Sequence, residues 1–235
     1  WEGVTRIHIP VSQSGSKGSV VFDGKAALHA SKHEGVVLTL GYNTAFFNLL
    51  FRLKSIPNLM NMDGIEWKRG KWSLPVRIWF WMNEHIGCHV ANHLIADHLE
   101  MKRHLKRNVP ESKITVSAYG AEEISNADAA PLQQFGIESG SYSTIIARPE
   151  PENSILEMVQ AFSAKPRNHT LVVLGKYEDD HPYQKSVKAA ASDEVKFVGA
   201  IYDKSLLATL RYHCRFYMHG HTVGGTNPSL LEALG

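Results

Sequence analysis

Short β-branched apolar runs alternate with helix-period segments along almost the whole chain, and that alternation admits few folds. Strands joined by helical crossovers pair in parallel, so the expected class is α/β with parallel sheets. In the first part, strands are expected at 5–9, 36–40, 58–62, 93–96 and 114–118, and helices at 19–30, 44–53, 74–89 and 99–106. The stretch 121–141 is rich in Ala, Glu, Asp, Ser, Asn and Gly and reads as a linker. Alternation then resumes, with strands at 143–147, 170–174, 195–198 and 215–218 and helices at 153–164, 183–191 and 204–212. A last helix is entered at Asn227. Two α/β halves follow, 1–140 including the linker and 141–235, with no fixed-period repeat between them.

Composition removes other classes. With 43% hydrophobic and 20% charged residues, the chain is neither disordered, collagen-like nor a coiled coil. A formal charge of +2 is too small for the broad basic face of a nucleic-acid binder. Cys88 and Cys214 offer one disulfide at most, which suits a reducing cytoplasm. No apolar run reaches the ~18 residues of a spanning helix, and no signal peptide opens the chain. It starts at Trp1 and stops soon after a helix-start signal, so it reads as a fragment with both halves incomplete.

Open parallel sheets bind ligands beyond the carboxyl ends of their strands, and that rule selects the residues after each apolar run. They are Gly41-Tyr42-Asn43, Asp63-Gly64-Ile65-Glu66, Tyr119-Gly120, Arg148, Gly175-Lys176, Gly199 and His219-Gly220-His221. The run His219 to Ser229 carries the strongest signal. A strand passes into Gly224-Gly225, Thr226 or Asn227 can cap, and Pro228 suits the first helical turn. Backbone N–H groups at Gly224, Gly225, Thr226, Asn227 and Ser229 would favour a diphosphate, with Glu232 one turn on for sugar hydroxyls; the other reading is a capped structural helix.

These residues resemble the donor-binding segment of family 4 retaining glycosyltransferases, most closely the bacterial subgroup that includes capsule rhamnosyltransferases. Segments 41–43, 61–69, 95–98, 118–121 and 147–153 resemble that subgroup in the same order, so the likeness covers nearly the whole chain. It implies a GT-B enzyme of two Rossmann-like domains facing across a cleft, acceptor on the first and nucleotide sugar on the second. It also implies metal-independent transfer without a cofactor, in bacterial polysaccharide synthesis at the inner face of the plasma membrane. The donor it points to is dTDP-rhamnose, and the acceptor a glycan or lipid-linked precursor. Two positions depart from the family pattern. Family 4 enzymes often carry two glutamates with seven residues between them; Glu232 matches the second, and Gly224 occupies the place of the first. The lysine often found five residues after the arginine is here Asn153.

On this reading Arg148, the Gly224-Gly225-Thr226 backbone and Lys176 stabilise charge on the leaving phosphate, with Gly175, Gly199, His219 and His221 around the donor. Asp63 or Glu66 orients the acceptor hydroxyl; the plainer reading is an Asp-Gly turn and a first-turn helix acid. Two further readings stay open, a GT-B nucleotide-sugar epimerase or hydrolase and a non-catalytic nucleotide-sugar binding or assembly protein. Lys68, Arg69, Lys71 and Trp72, next to Trp79 and Trp81, suit an anionic membrane or acceptor surface, against a helix buried on the first sheet. Thirteen histidines invite a metal reading, but His93 falls in a strand beyond the helix that holds His85 and His89, so no metal is expected.

Overall fold

The computed structural model describes residues 3–222 and 226–235. Residues up to Ala118, joined by Thr226, form one compact unit, and the remaining described residues form a second. Each is a parallel sheet covered by helices.

The first unit runs α1 (Gly15–Ala30), β1 (Val37–Leu40), α2 (Leu49–Leu53), β2 (Asn58–Met62), α3 (Leu74–Val90), β3 (His93–Ala96), α4 (Leu99–Leu105) and β4 (Ile114–Val116). The sheet order is β1-β2-β3-β4, every pair parallel. Its core gathers Tyr42, Met60, Met62, Leu94, Met101 and Leu105. Residues 5–9, expected as a strand, form none: most are exposed, and no strand of the sheet pairs with them. The helix expected over 44–53 divides into a 3-10 turn, Ala45–Asn48, and α2. The Phe46 N–H, in the first turn where no intrahelical acceptor exists, donates instead to Asn83 Oδ1 of α3 at 3.1 Å.

The second unit runs β5 (Tyr142–Ile146), α5 (Ile155–Ser163), β6 (Thr170–Leu174), α6 (Pro182–Ala189), β7 (Val195–Gly199), α7 (Lys204–Tyr212), β8 (Phe216–Tyr217) and α8 (Pro228–Leu234). Strands β5 and β6 are almost wholly buried, as near-continuous apolar strands of a sheet covered on both faces should be. On α5, Ile155, Val159 and Phe162 are buried at helical spacing and pack on the sheet; each such side chain contributes about 2 kcal/mol of burial. The stretch 121–141, read as a linker, is packed into this unit: Leu132 and Ile137 join Tyr142, Leu174 and Leu210 in the core. The order β7-β6-β5-β8 matters most for function. The chain steps outward from β5 to β7 and returns through β8 on the other side of β5, so the strand order reverses there. Sheets of this kind bind ligands beyond the strand ends at such a reversal.

No helix among the described residues is long and apolar enough to cross a membrane.

Candidate functional site

The carboxyl ends of β5, β6 and β7 open onto a cavity of about 520 Å³. The segments that follow the strands line it: Ala147 and Arg148 after β5, Gly175 and Lys176 after β6, and Ala200 to Tyr202 after Gly199 closes β7. Ser229, in the first turn of α8, supplies a further wall. Arg148, Gly175, Lys176 and Ser229, each singled out in the sequence, therefore meet at one cavity, beside Gly199.

Local chemistry accounts for that convergence. Gly175 has φ +145°, a conformation that side chains rarely adopt, and an added Cβ would stand 2.9 Å from the Ala147 carbonyl oxygen. Only glycine lets the β5 and β6 exits run that close. Ser229 Oγ is held from three sides. It donates to the Ile146 carbonyl at 3.2 Å, meets Tyr217 Oη at 2.7 Å, and accepts from Arg211 Nη2 at 3.2 Å. Burial raises the Tyr217 phenol above its ordinary range, the bond to Ser229 opposing, so the hydroxyl stays protonated at neutral pH.

Glu232 does not line the cavity. Its half-exposed carboxylate pairs with the buried guanidinium of Arg211 at 2.5 Å, and the same Arg211 nitrogen reaches Ser229. Arg211 thus ties Glu232 to a cavity residue. Sequence reading missed both Arg211 and Tyr217, because neither follows a strand; α7 and β8 deliver them to Ser229 only in three dimensions. Tyr202 was also missed, although it is exposed, lines the cavity and follows Gly199 by three residues. The strand-end rule reaches it when applied a little further along the loop.

Asn153, which replaces the family's usual lysine, is buried and bridges two segments. Its Nδ2 donates to the Arg148 carbonyl at 2.8 Å, and its Oδ1 lies 2.8 Å from His221 Nδ1. Since Oδ1 only accepts, that His221 nitrogen carries a proton. The Thr222 backbone N–H donates to the Glu152 carbonyl at 2.9 Å, which straps the 219–222 segment to the turn after β5. Gly220 makes the approach possible, because a Cβ there would meet the Asn153 carbonyl oxygen at 2.8 Å. His219 and His221 are not among the cavity's lining residues; His219 lies against Tyr217, and burial lowers its pKa, the neighbouring His221 adding to the effect. Arg148 is exposed, and among the described residues its guanidinium has no hydrogen bond or ion pair. Lys176 pairs with Glu178 at 3.2 Å in a solvated contact, which binds it weakly.

Asn227 caps α8 by accepting from the Ser229 N–H at 3.0 Å. Thr226 groups with the first unit, where its backbone N–H donates to Asp97 Oδ2 at 2.8 Å. Gly224 and Gly225 lie outside the described residues.

In the first unit, Asp63 and Glu66 follow β2. Burial raises the Asp63 carboxyl above its ordinary range, Asp97 adding to the effect and Arg69 opposing it. Glu66 is engaged on all sides: its backbone N–H donates to Tyr42 Oη at 2.8 Å, and its carboxylate meets Arg69 Nε at 3.1 Å and Trp72 Nε1 at 3.2 Å. Glu66 therefore shapes the loop that carries Asp63. Trp72 is half-buried against Phe80, so of the four residues read as a membrane or acceptor surface, Lys68 and Lys71 are the exposed ones. Among the described residues, no group of three or more His, Cys, Asp or Glu stands where it could hold a metal ion.

Residues 25–122 match a family described as a domain of unknown function, DUF1972. No curated protein matches the chain by sequence. Among solved structures, it is similar to Anabaena Alr3699/HepE in complex with UDP, with a TM-score of 0.71 at 14% identity over 94% of this chain and 63% of that one. Sucrose-phosphate synthase from Thermosynechococcus elongatus gives 0.73 at 15% identity over 93% and 57%. UDP-N-acetylglucosamine 2-epimerase from Rickettsia bellii gives 0.56 at 14% over 88% and 57%. The chain spans about three fifths of the length of these proteins. At such identities the likeness is one of fold, and the fold of this chain is the GT-B type, built of Rossmann-like parallel-sheet units.

Proposed function

We propose that the chain performs glycosyl transfer from a nucleotide-diphosphate sugar held at the second unit's strand-end cavity. The observation that carries this reading is the convergence of Arg148, Lys176 and Ser229 on one cavity of about 520 Å³ beyond the carboxyl ends of β5, β6 and β7. Two cations suit a diphosphate, the exposed ring of Tyr202 offers a face for stacking, and Glu232, outside the cavity's lining but tied to Ser229 through Arg211, is our candidate acceptor for hydroxyls of a sugar that extends past Ser229. In the retaining, metal-independent course that we favour, the bond from the sugar's anomeric carbon to the diphosphate breaks. The acceptor oxygen bonds that carbon from the same face, and its proton passes to the departing phosphate. Arg148 and Lys176 stabilise the charge that develops there. The resemblance supports dTDP-rhamnose as donor and a capsule or related polysaccharide precursor as acceptor. Asp63 is our candidate to orient the acceptor, in a cytoplasmic protein with peripheral contact to the inner membrane face.

A thermal-shift panel of nucleoside diphosphates and nucleotide sugars tests this reading. A ligand at 100 times its Kd adds about 2.7 kcal/mol to the folded state, a rise of several degrees in Tm. No shift with any of them would remove the donor site. Glu232→Gln should weaken nucleotide-sugar binding by about 1.5 kcal/mol and leave nucleoside diphosphate binding unchanged, because only the sugar meets the carboxylate. Equal loss for both ligands would take Glu232 away from the sugar. The epimerase among the similar structures keeps rearrangement or hydrolysis as a second reading. Product formation that depends on an added acceptor separates it from transfer.

A further inference from the structure

On α3, the residues Leu74, Ile78, Trp81 and Met82 recur at helical spacing along one face about 12 Å long. These residues are 67%, 49%, 47% and 47% exposed, where an ordinary surface helix would present polar groups. The opposite face packs through Asn83, Gly87 and Val90, with Glu84 and Cys88 buried along its flank. Its neighbour Trp79 differs from Trp81, since its indole donates to the Asn43 carbonyl at 2.8 Å and its ring meets Phe46 edge-on.

From residue 66 to residue 90 the exposed charge is basic. The 3-10 turn Glu66–Lys68 packs along α3, and the segment after it ends against the helix, where Trp72 contacts Phe80. There Lys68 and Lys71 are exposed, each ammonium lying over the neighbouring indole, Trp67 at 5.4 Å and Trp72 at 5.0 Å. From residue 66 to residue 90 the sequence holds two acids, Glu66 and Glu84. Glu66 is engaged by Arg69 and Trp72, and Glu84 is fully buried. An exposed apolar stripe on a helix whose adjoining segment exposes two lysines, with Asp63 the exposed carboxylate of the preceding loop, matches an anionic lipid surface: the apolar side chains enter the acyl boundary while the ammonium groups remain among the headgroups.

We propose that this face of α3, together with Lys68 and Lys71, docks the protein on an anionic lipid bilayer. It deepens the peripheral-contact part of the proposed function and assigns that contact to named residues, most of them on a helix rather than in the basic segment. A lipid-linked acceptor would then be met at the membrane.

The test is co-sedimentation of the chain with phosphatidylcholine vesicles, with and without phosphatidylglycerol. The parent should bind the anionic vesicles, and more weakly as salt is raised. Leu74→Ser/Trp81→Ser should lower that binding at least tenfold. Lys68→Gln/Lys71→Gln should lower it roughly 25-fold at low salt, since each basic residue near such a surface is worth about fivefold. Leu53→Ser, at another exposed apolar position, should change nothing. Nucleotide-sugar thermal shifts, measured on every variant, report folding and the donor site separately, so loss of one property leaves the other readable. Parental vesicle binding by the Leu74/Trp81 variant would overturn the proposal, as would equal binding of the parent to neutral vesicles. So would parental vesicle binding accompanied by loss of self-association in that variant, which would assign the face to a second copy of the chain.

Discussion

Arg148→Ala is expected to lower kcat about 100-fold while EDTA leaves turnover unchanged. The size follows from removing one preorganised group that stabilises the transition-state charge. Arg148 sits at the mouth of β5, exposed and without a partner of its own among the described residues, so its loss should not disturb the fold. Asn153 holds the Arg148 backbone carbonyl and not its guanidinium, which leaves the cation available to a ligand. Arg148→Lys should recover part of the loss, since a lysine restores the charge but not the planar fork that engages two phosphate oxygens. The EDTA arm rests on the sequence. No Asp-x-Asp follows any strand. The acidic doublet Asp179-Asp180 lies in an exposed turn where Lys188, 2.6 Å away, holds the Asp179 carboxyl below its ordinary range. Activity that vanishes with EDTA, returns with Mn²⁺ and survives Arg148→Ala would show that the catalytic plan is wrong.

That Arg148 and Lys176 stand out in the sequence and meet at one cavity reflects a property of parallel sheets. Buried strands read as apolar runs, and the residues after them share one edge whatever the connections between. The same property made β2, β6 and α7 legible to the residue. It failed at 5–9, where alternation resembles a strand but nothing pairs with it, and at 121–141, where Leu132 and Ile137 are too sparse to announce a packed segment. What the sequence could not deliver were contacts between elements. Arg211 meets Ser229 and Glu232 because α7 ends beside α8, and no spacing along the chain encodes that meeting. The α3 surface shows the same limit from the other side: its tryptophans were visible, but only packing separates the anchored Trp79 from the exposed Trp81.

A second contact of this kind predicts the largest loss of stability. Glu84, fully buried on α3, has one carboxylate oxygen 2.7 Å from His104 Nε2 of α4 and accepts from Trp67 Nε1 at 2.9 Å with the other. Three elements are thereby joined beneath the loop that carries Asp63 and Glu66. His104→Leu takes away one partner and leaves a buried carboxylate half satisfied, which should cost about 3 kcal/mol. The double variant Glu84→Leu/His104→Leu removes the charge as well, so most of that loss should return, apart from the unpaired Trp67 indole. All five tryptophans fall at or before position 81, so their fluorescence in urea follows the first unit. With a slope of roughly 1.5 kcal/mol per molar, the single variant should shift the urea midpoint down by about 2 M and the double variant by well under half as much. Asp63 is held by the same loop, so a nucleotide-sugar thermal shift that persists in His104→Leu while acceptor-dependent turnover falls would tie the two effects together. A midpoint unchanged by His104→Leu would mean that Glu84 is satisfied without the histidine and that the α3–α4 link contributes little.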